Sequence, residues 1–414
     1  MNPVKSITKL KNHVFEGRSG YSALESAVIF GPNACGKSNL VQAMFRSQAY
    51  IRQGVLQDAA ISCSEPFRLG LAEDEKSLFE YCFSTEDNIY TYGFVVSKEA
   101  VLEEWLFKDI GDKEKLLFER STEAGVQKFK FSKDLERLYG DMAGELVSVK
   151  TLFLTTTGMR NAVLRPAWNW FDNTLVVIPG VPFLCRDLVF FLNEYPGFAE
   201  FLTNLLLCCD TDICGVECVD TPPPEEVKKR AQHGLEKMFP GCQITEERFL
   251  ELQTRHEQFG GDRVSFKLDL ESDGTQQLMH LAPWLYTLQQ RPITLVVDEL
   301  DRSLHTFLVQ EVIKRFRDLN QQSQLGSQII MTSHDTNLMN AEMFRKDEIW
   351  LMSKDITKAS RLTNLAQFKI NSGVNYEKLY LSGRVGGIPF LDDSRFTDFL
   401  EDKASPVTQS SGGI

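Results

Sequence analysis

The chain has 414 residues, 43% of them hydrophobic and 25% charged, a balance that excludes wholesale disorder and a fibrous repeat. Its 45 Lys and Arg face 57 Asp and Glu, and the net charge of −12 disfavours indiscriminate coating of nucleic acid without excluding a local basic groove. At roughly 100–200 residues per domain, the length allows two or three domains, or one large domain with an insertion.

The opening residues, MNPVKSITKLKNHVFEG, lack the apolar core of a secretory leader. Residues 24–30 (LESAVIF) predict a short buried strand, GPNACGKS follows at once, and NLVQAMFRSQAYIRQ then reads as a helix. Gly31-x4-Gly36-Lys37-Ser38 between a strand and a helix is the context of a phosphate-binding loop. Gly31 and Gly36 let the backbone bend so that its N–H groups face a β-phosphate at the positive end of the new helix. Lys37 reaches the β- and γ-phosphates as a point charge, and the Ser38 hydroxyl is a ligand for Mg²⁺. Pro32, Asn33, Ala34 and Cys35 fill the loop, and Asn39 closes the expected nucleotide cradle.

Residues 65–119 run as short alternating stretches between turn-like clusters (SLFEYCFS, IYTYGFVVS, VLEEWLFKD, KLLFER), an antiparallel-sheet signal. Residues 121–260 turn to longer helical runs, punctuated by Thr221-Pro222-Pro223-Pro224. They predict a helical insertion without the long heptads of a coiled-coil arm. The most apolar long stretch, Thr174 to Leu192, is broken by Pro179, Pro182, Arg186 and Asp187, so it makes no comfortable membrane span. Nine cysteines without a regular framework suit a reducing cytoplasm. Cys208, Cys209, Cys214, Cys218, His233 and Cys242 lack the paired spacing of a zinc site and read as small buried thiols. The basic clusters at Lys128, Lys130 and Lys133 and at Lys228, Lys229 and Arg230 read as solvated faces.

From residue 261 the strand–helix alternation returns. Ser272-Asp273-Gly274-Thr275-Gln276 opens a helix, so its N–H groups and the Ser272 hydroxyl can meet a phosphate. Ile293 to Val297 is a second apolar strand ending in Asp298-Glu299. Asp298 is placed to hold the Mg²⁺ shell, and Glu299 to orient and deprotonate a water. Leu300 to His305 follow directly, and the strand from Ser327 to Met331 delivers Thr332-Ser333-His334-Asp335, where His334 can contact a γ-phosphate. A last strand is predicted over Asp347 to Met352. Residues 380–390 form a Gly-rich run that lacks Gly-Lys-Ser and is no second phosphate loop, and residues 403–414 read as a flexible tail.

This order of motifs resembles the ABC-class ATPase head of SMC, RecF and transporter ATPase subunits. More closely, GPNACGKSNL, YGFVVSKEAVLEEWLF, LESDGTQQL, VVDELDRSLH, TSHDTNLM and YLSGRVGGIPFL resemble bacterial AAA-family ATPases of the AAA15/AAA21 type. These include RloA- and AbiL-like proteins and are related to the ATPase parts of the OLD, Gabija, Septu and PARIS anti-phage systems. The resemblance implies an α/β fold: an ABC-type, SMC/RecF-like P-loop ATPase head with an antiparallel β-layer and an inserted helical lid. The head would occupy residues 1–120 and 261–402, with the lid at 121–260. It implies ATP and Mg²⁺ held in cis by Lys37, Ser38 and Asp298. In a homodimer or higher homo-oligomer, the partner's Ser272, Gly274 and Asp301 would complete the site in trans, Glu299 would activate water, and His334 would sense the γ-phosphate.

The signature departs from the wider class in carrying Asp273 where a glycine is usual, which weakens the transporter analogy. Gln42, Gln48, Gln53 and Gln57 offer no diagnostic Q-loop glutamine. No nuclease constellation follows the ATPase motifs. The expectation is therefore a cytoplasmic defence ATPase that senses phage infection and controls a separate, nuclease-like effector protein. The alternative is a RecF/SMC-like DNA-repair or maintenance ATPase with direct DNA binding, which is not favoured; no membrane is expected.

Overall fold

A computed structural model of the chain describes residues 1–17, 20–54, 60–69, 76–85, 88–110, 113–180, 185–222, 229, 249–370 and 373–388. A short hairpin pairs β1 (Val14–Glu16) with β2 (Ser22–Leu24). The next strand, β3 (Ser26–Phe30), is buried at all five positions, the pattern of a parallel strand covered on both faces. Gly36 takes a left-handed φ of 109° and α1 (Lys37–Gln53) begins. The chain then builds a five-stranded antiparallel meander from β4 (Ser77–Thr85), β5 (Asn88–Val96), β6 (Val101–Ile110), β7 (Lys113–Glu123) and β8 (Val126–Phe131). Four short helices follow: α2 (Lys133–Tyr139), α3 (Ala143–Leu146), α4 (Phe153–Thr157) and α5 (Arg165–Asn169). Next come β9 (Leu175–Ile178), α6 (Cys185–Glu194) and α7 (Phe198–Cys208), and a second antiparallel sheet of β10 (Ile213–Thr221), β11 (Phe249–Glu257) and β12 (Arg263–Lys267). The last part contains α8 (Asp273–Thr287), β13 (Thr294–Val297), α9 (Thr306–Ser323), β14 (Gln328–Thr332), β15 (Ile349–Lys354), β16 (Ser360–Asn364) and α10 (Tyr376–Leu381).

The central sheet has the order β16-β15-β3-β14-β13-β9, parallel from β15 to β9 with β16 antiparallel on its edge. Alternate residues of its strands feed two cores. Leu295 and Val297 pack with α6 to α9, whereas Val296 packs with α1 and the antiparallel layer. The layer is joined to its helices by a buried acid. Glu104 accepts hydrogen bonds from Tyr92 Oη (3.0 Å) and from the backbone N–H groups of Phe153 (2.7 Å) and Leu154 (3.0 Å), with the Arg120 guanidinium at 3.6 Å. Burial pushes the Glu104 carboxyl up, and Arg120 opposes it.

The expected division at residue 120 falls inside β7, and 121–260 is not a wholly helical segment. β7 and β8 complete the meander, β9 is an edge strand of the central sheet beside β13, and Ile213–Thr221 and Phe249–Glu257 are strands. The reason is cross-strand pairing: runs such as ICGVECVDT find partners that local periodicity does not reveal. The proline-led helix read after residue 221 and the tail at 403–414 lie outside the described residues. β16, paired with β15 by five residues from Trp350↔Asn364 to Lys354↔Ser360, adds an edge beyond the predicted last strand.

Where the parallel strands begin, charges are buried against one another. His13 Nδ1 lies 2.9 Å from Glu348 Oε2, and Ser26 Oγ donates to Glu348 Oε1 at 2.5 Å while accepting from Arg317 Nη2 at 3.0 Å. Arg345 grips Asp347 with Nε and Nη2 at 2.9 and 2.8 Å, and the Val4 N–H also donates to Asp347. Glu25 sits beside this cluster with Oε2 buried and unpartnered; burial pushes its carboxyl up to about 7, against the pull of Arg317.

Candidate functional site at the C-terminal edge of the parallel sheet

The phosphate loop connects β3 to α1. A side chain at Gly31 would bring a Cβ within 2.5 Å of the Met352 carbonyl oxygen and 2.7 Å of Cys35 Sγ, so the loop's close approach to β15 requires glycine there. Ala34 and Gly36 both have positive φ, 60° and 109°, and α1 begins with no side-chain cap on its first N–H groups. Uncapped donors on a helix that starts at a glycine turn are the physical basis of phosphate binding. Lys37 is 4% exposed. Its Nζ donates to the loop's own carbonyls, Gly31 O at 2.6 Å and Pro32 O at 3.3 Å, and lies 3.4 Å from His334 Nδ1. Burial lowers the Lys37 pKa, and the charges at Cys35, Asp298, Asp301 and Glu299 pull it back up. Asn33, Ser38 and Asn39 are exposed on the same rim.

Asp298 leaves β13 buried at 5% exposure, and Thr332 Oγ1, from the end of β14, donates to its Oδ1 at 2.6 Å. The same Thr332 Oγ1 accepts from the Glu299 N–H at 2.7 Å, so one hydroxyl orders both acids of the strand end. Glu299 has a left-handed φ of 50°, an uncommon state for a side chain of its kind that re-aims the chain as it leaves β13. Asp301 Oδ2 accepts from the backbone N–H groups of His334 (2.9 Å) and Asp335 (3.0 Å), holding the loop after β14. Asp301 Oδ1 is buried without a partner. The structure therefore brings Lys37, Ser38, Asp298, Glu299, Asp301 and His334 to one edge of the sheet.

Ser272 and Gly274 lie on a neighbouring shoulder. Ser272 caps α8, its Oγ accepting from the Thr275 N–H at 3.1 Å, and it is exposed. A Cβ at Gly274 would lie 2.6 Å from Ser303 O, so the start of α8 packs directly against the segment following β13. Beside this contact lies a cavity of about 190 Å³, whose lining includes Asp273, Gln276, Gly180, Asp298, Glu299 and Arg302.

Thr332 was not picked out from sequence; only pairing β14 beside β13 shows that its hydroxyl reaches both acids. Arg302 was also missed. Its Nη1 donates to Gly180 O at 3.1 Å, tying the loop after β9 to the acidic strand end. Of the glutamines after the phosphate loop, Gln48 is structural: its amide donates to Phe171 O and Leu175 O at 2.8 and 2.7 Å. Gln57 lies outside the described residues.

The residues present fit a nucleotide and its metal. The uncapped α1 terminus and the Lys37 ammonium suit phosphate oxygens, and the exposed Ser38 hydroxyl and the fixed Asp298 carboxylate are hard oxygen donors of the kind Mg²⁺ takes. A parallel sheet with a phosphate loop after β3 and paired acids after β13 defines a P-loop nucleoside-triphosphatase fold. Residues 26–135 and 218–340 match the family described as "AAA domain, putative AbiEii toxin, Type IV TA system", and the chain belongs to that family of ATPases.

No curated protein matches the sequence. Among solved structures, an SMC head bound to the C-terminal winged-helix domain of ScpA is 13% identical and aligns over 84% of this chain and 95% of its own, with a TM-score of 0.39. The SMC head domain from Thermotoga maritima is 15% identical over 85% and 96%, with a TM-score of 0.34. A Pyrococcus furiosus Smc head with an extended coiled coil, bound to the C-terminal domain of ScpA, is 10% identical over 86% and 96%, with a TM-score of 0.33. No helix among the described residues is long and apolar enough to cross a membrane.

Proposed function

We infer that the chain hydrolyses ATP in a site completed by a second copy, and uses that cycle to control a separate toxic effector in antiviral defence. The observation that carries the hydrolytic reading is the Thr332 hydroxyl, which fixes Asp298 and the Glu299 backbone beside Lys37 and Ser38. Lys37 moves from the loop carbonyls onto the β- and γ-phosphates. Ser38 and Asp298 would hold Mg²⁺, which would supply charge neutralisation at those oxygens. Glu299 takes a proton from the attacking water, and His334, anchored through its N–H to Asp301, meets the γ-phosphate. Ser272 and Gly274, exposed and half-buried at the start of α8, would meet a partner's nucleotide, and Asp301, which orders its own loop, would contact the partner. The family description, which names a toxin and a toxin–antitoxin system, supports control of an effector.

Glu299→Gln tests this reading. It should slow phosphate release by about 10²–10⁴-fold while prolonging an ATP-bound dimer seen by sedimentation. Wild-type turnover would remove Glu299 as the base. ATPase stimulation by bare DNA that fades with salt would instead favour a DNA-maintenance role.

A further inference from the structure

The outer face of the antiparallel meander carries an aromatic platform that the ATPase reading does not use. Side chains on alternate positions of β6 point away from the core, and among them are Trp105 and Phe107, which join neither hydrophobic core. Trp105 stands opposite Gly93 on β5, and a Cβ at Gly93 would lie 2.5 Å from Trp105 Cε2 and 2.9 Å from Nε1. The indole therefore lies across the neighbouring strand, and glycine is the residue that admits it. Its Nε1 donates to Glu80 Oε2 at 3.2 Å, which fixes the ring's rotation. The ring is half-buried, with one face resting on the sheet at Gly93.

The surroundings of this ring are acidic. Glu80 holds its edge, Glu119 lies directly across on β7, and Glu103 lies two residues back on the same face; all three are exposed. Leu78, 64% exposed, and half-buried Val95 extend an apolar margin beyond them. The cations on this face, Lys128 and Lys130, are drawn to Glu123 at 3.2 Å and Glu119 at 3.5 Å in exposed pairs of small worth. An aromatic face ringed by carboxylates repels a phosphate backbone and attracts a guanidinium, which stacks on the ring while its N–H groups meet the acids.

We propose that the Trp105 face of the meander docks an arginine-rich segment of a partner protein. The site lies on β4 to β7, and it stands whether or not the ATPase cycle runs as described above.

The test uses a fluorescein-labelled (Gly-Arg)6 peptide, with (Gly-Lys)6 and a single-stranded oligonucleotide as comparison probes, read by anisotropy on the full chain. The wild type should bind (Gly-Arg)6 more tightly than (Gly-Lys)6, because only the guanidinium stacks. Trp105→Ala should weaken the arginine peptide by about tenfold. Trp105 also covers Gly93, and its loss can disturb the sheet, so the exposed charge variants Glu103→Lys and Glu119→Lys decide the matter. Each should weaken binding by about threefold or more without changing the melting temperature or ATP turnover. Equal binding of both peptides, or unchanged binding by the charge variants, would overturn the proposal. Oligonucleotide binding lost on Trp105→Ala would overturn it in favour of a nucleic-acid surface.

Discussion

The two edges of the central sheet use the same strands for opposite ends. At the edge where β3, β14 and β15 begin, carboxylates face guanidinium groups: Glu348 lies beside Arg317 while also meeting His13 and Ser26, and Arg345 meets Asp347. At the other edge, charges are held by the backbone and by a hydroxyl rather than by opposite charges. Lys37 rests on loop carbonyls, Asp298 on Thr332, and Asp301 on two N–H groups. The carboxylates of the first edge have a guanidinium beside them, whereas Asp298 and Asp301 have none in contact among the described residues. The difference separates a structural edge from a working one.

Substitutions sharpen that contrast. Lys37→Ala should abolish nucleotide binding in a titration with a fluorescent ATP analogue while the fold stays intact; retained binding would break the functional assignment of this edge. Glu348→Ala leaves Arg317 buried without its carboxylate and should cost about 3–5 kcal/mol in urea unfolding. Asp301→Ala frees the loop carrying His334. It should lower kcat by about 10–100-fold, with KM for ATP within about twofold, because a misplaced group loses rate more than binding.

The smallest effect concerns Glu25. Between its ordinary value of 4.5 and about 7, the folded chain keeps a proton that the unfolded chain has lost. Its stabilising contribution is complete below pH 4.5 and is lost as pH rises to about 7. Glu25→Gln should therefore flatten the fall in melting temperature over that window and melt about 1–3 °C above the wild type at pH 8. A wild-type pH profile in the variant would show that another group governs it.

Much of the working edge was legible because it is local. The phosphate loop occupies consecutive residues, and the strand–turn–helix context lies within a few residues of Gly31. Asp298, Glu299 and His334 were readable because each follows an apolar strand. What escaped depends on neighbours distant in sequence. In sequence β9 is only part of an interrupted apolar stretch, since its place beside β13 is set by pairing across more than a hundred residues. Thr332 looks like any strand-end threonine until β14 is laid between β3 and β13. The mixed character of 121–260 was hidden for the same reason: β10 finds its partner β11 only at residue 249. The Trp105 platform needed the register that sets it over Gly93.

The strand order also bears on how the protein is made. β3 emerges long before its two neighbours, β14 and β15, which begin at residues 328 and 349. At about 5–20 residues per second, a ribosome takes roughly 15–60 s to supply them. Throughout that interval, a five-residue strand destined for complete burial has no sheet partner on either side. The nascent chain thus carries a sticky segment that invites chaperone capture, and nucleotide cannot be held in the finished geometry before β14 and β15 have been made.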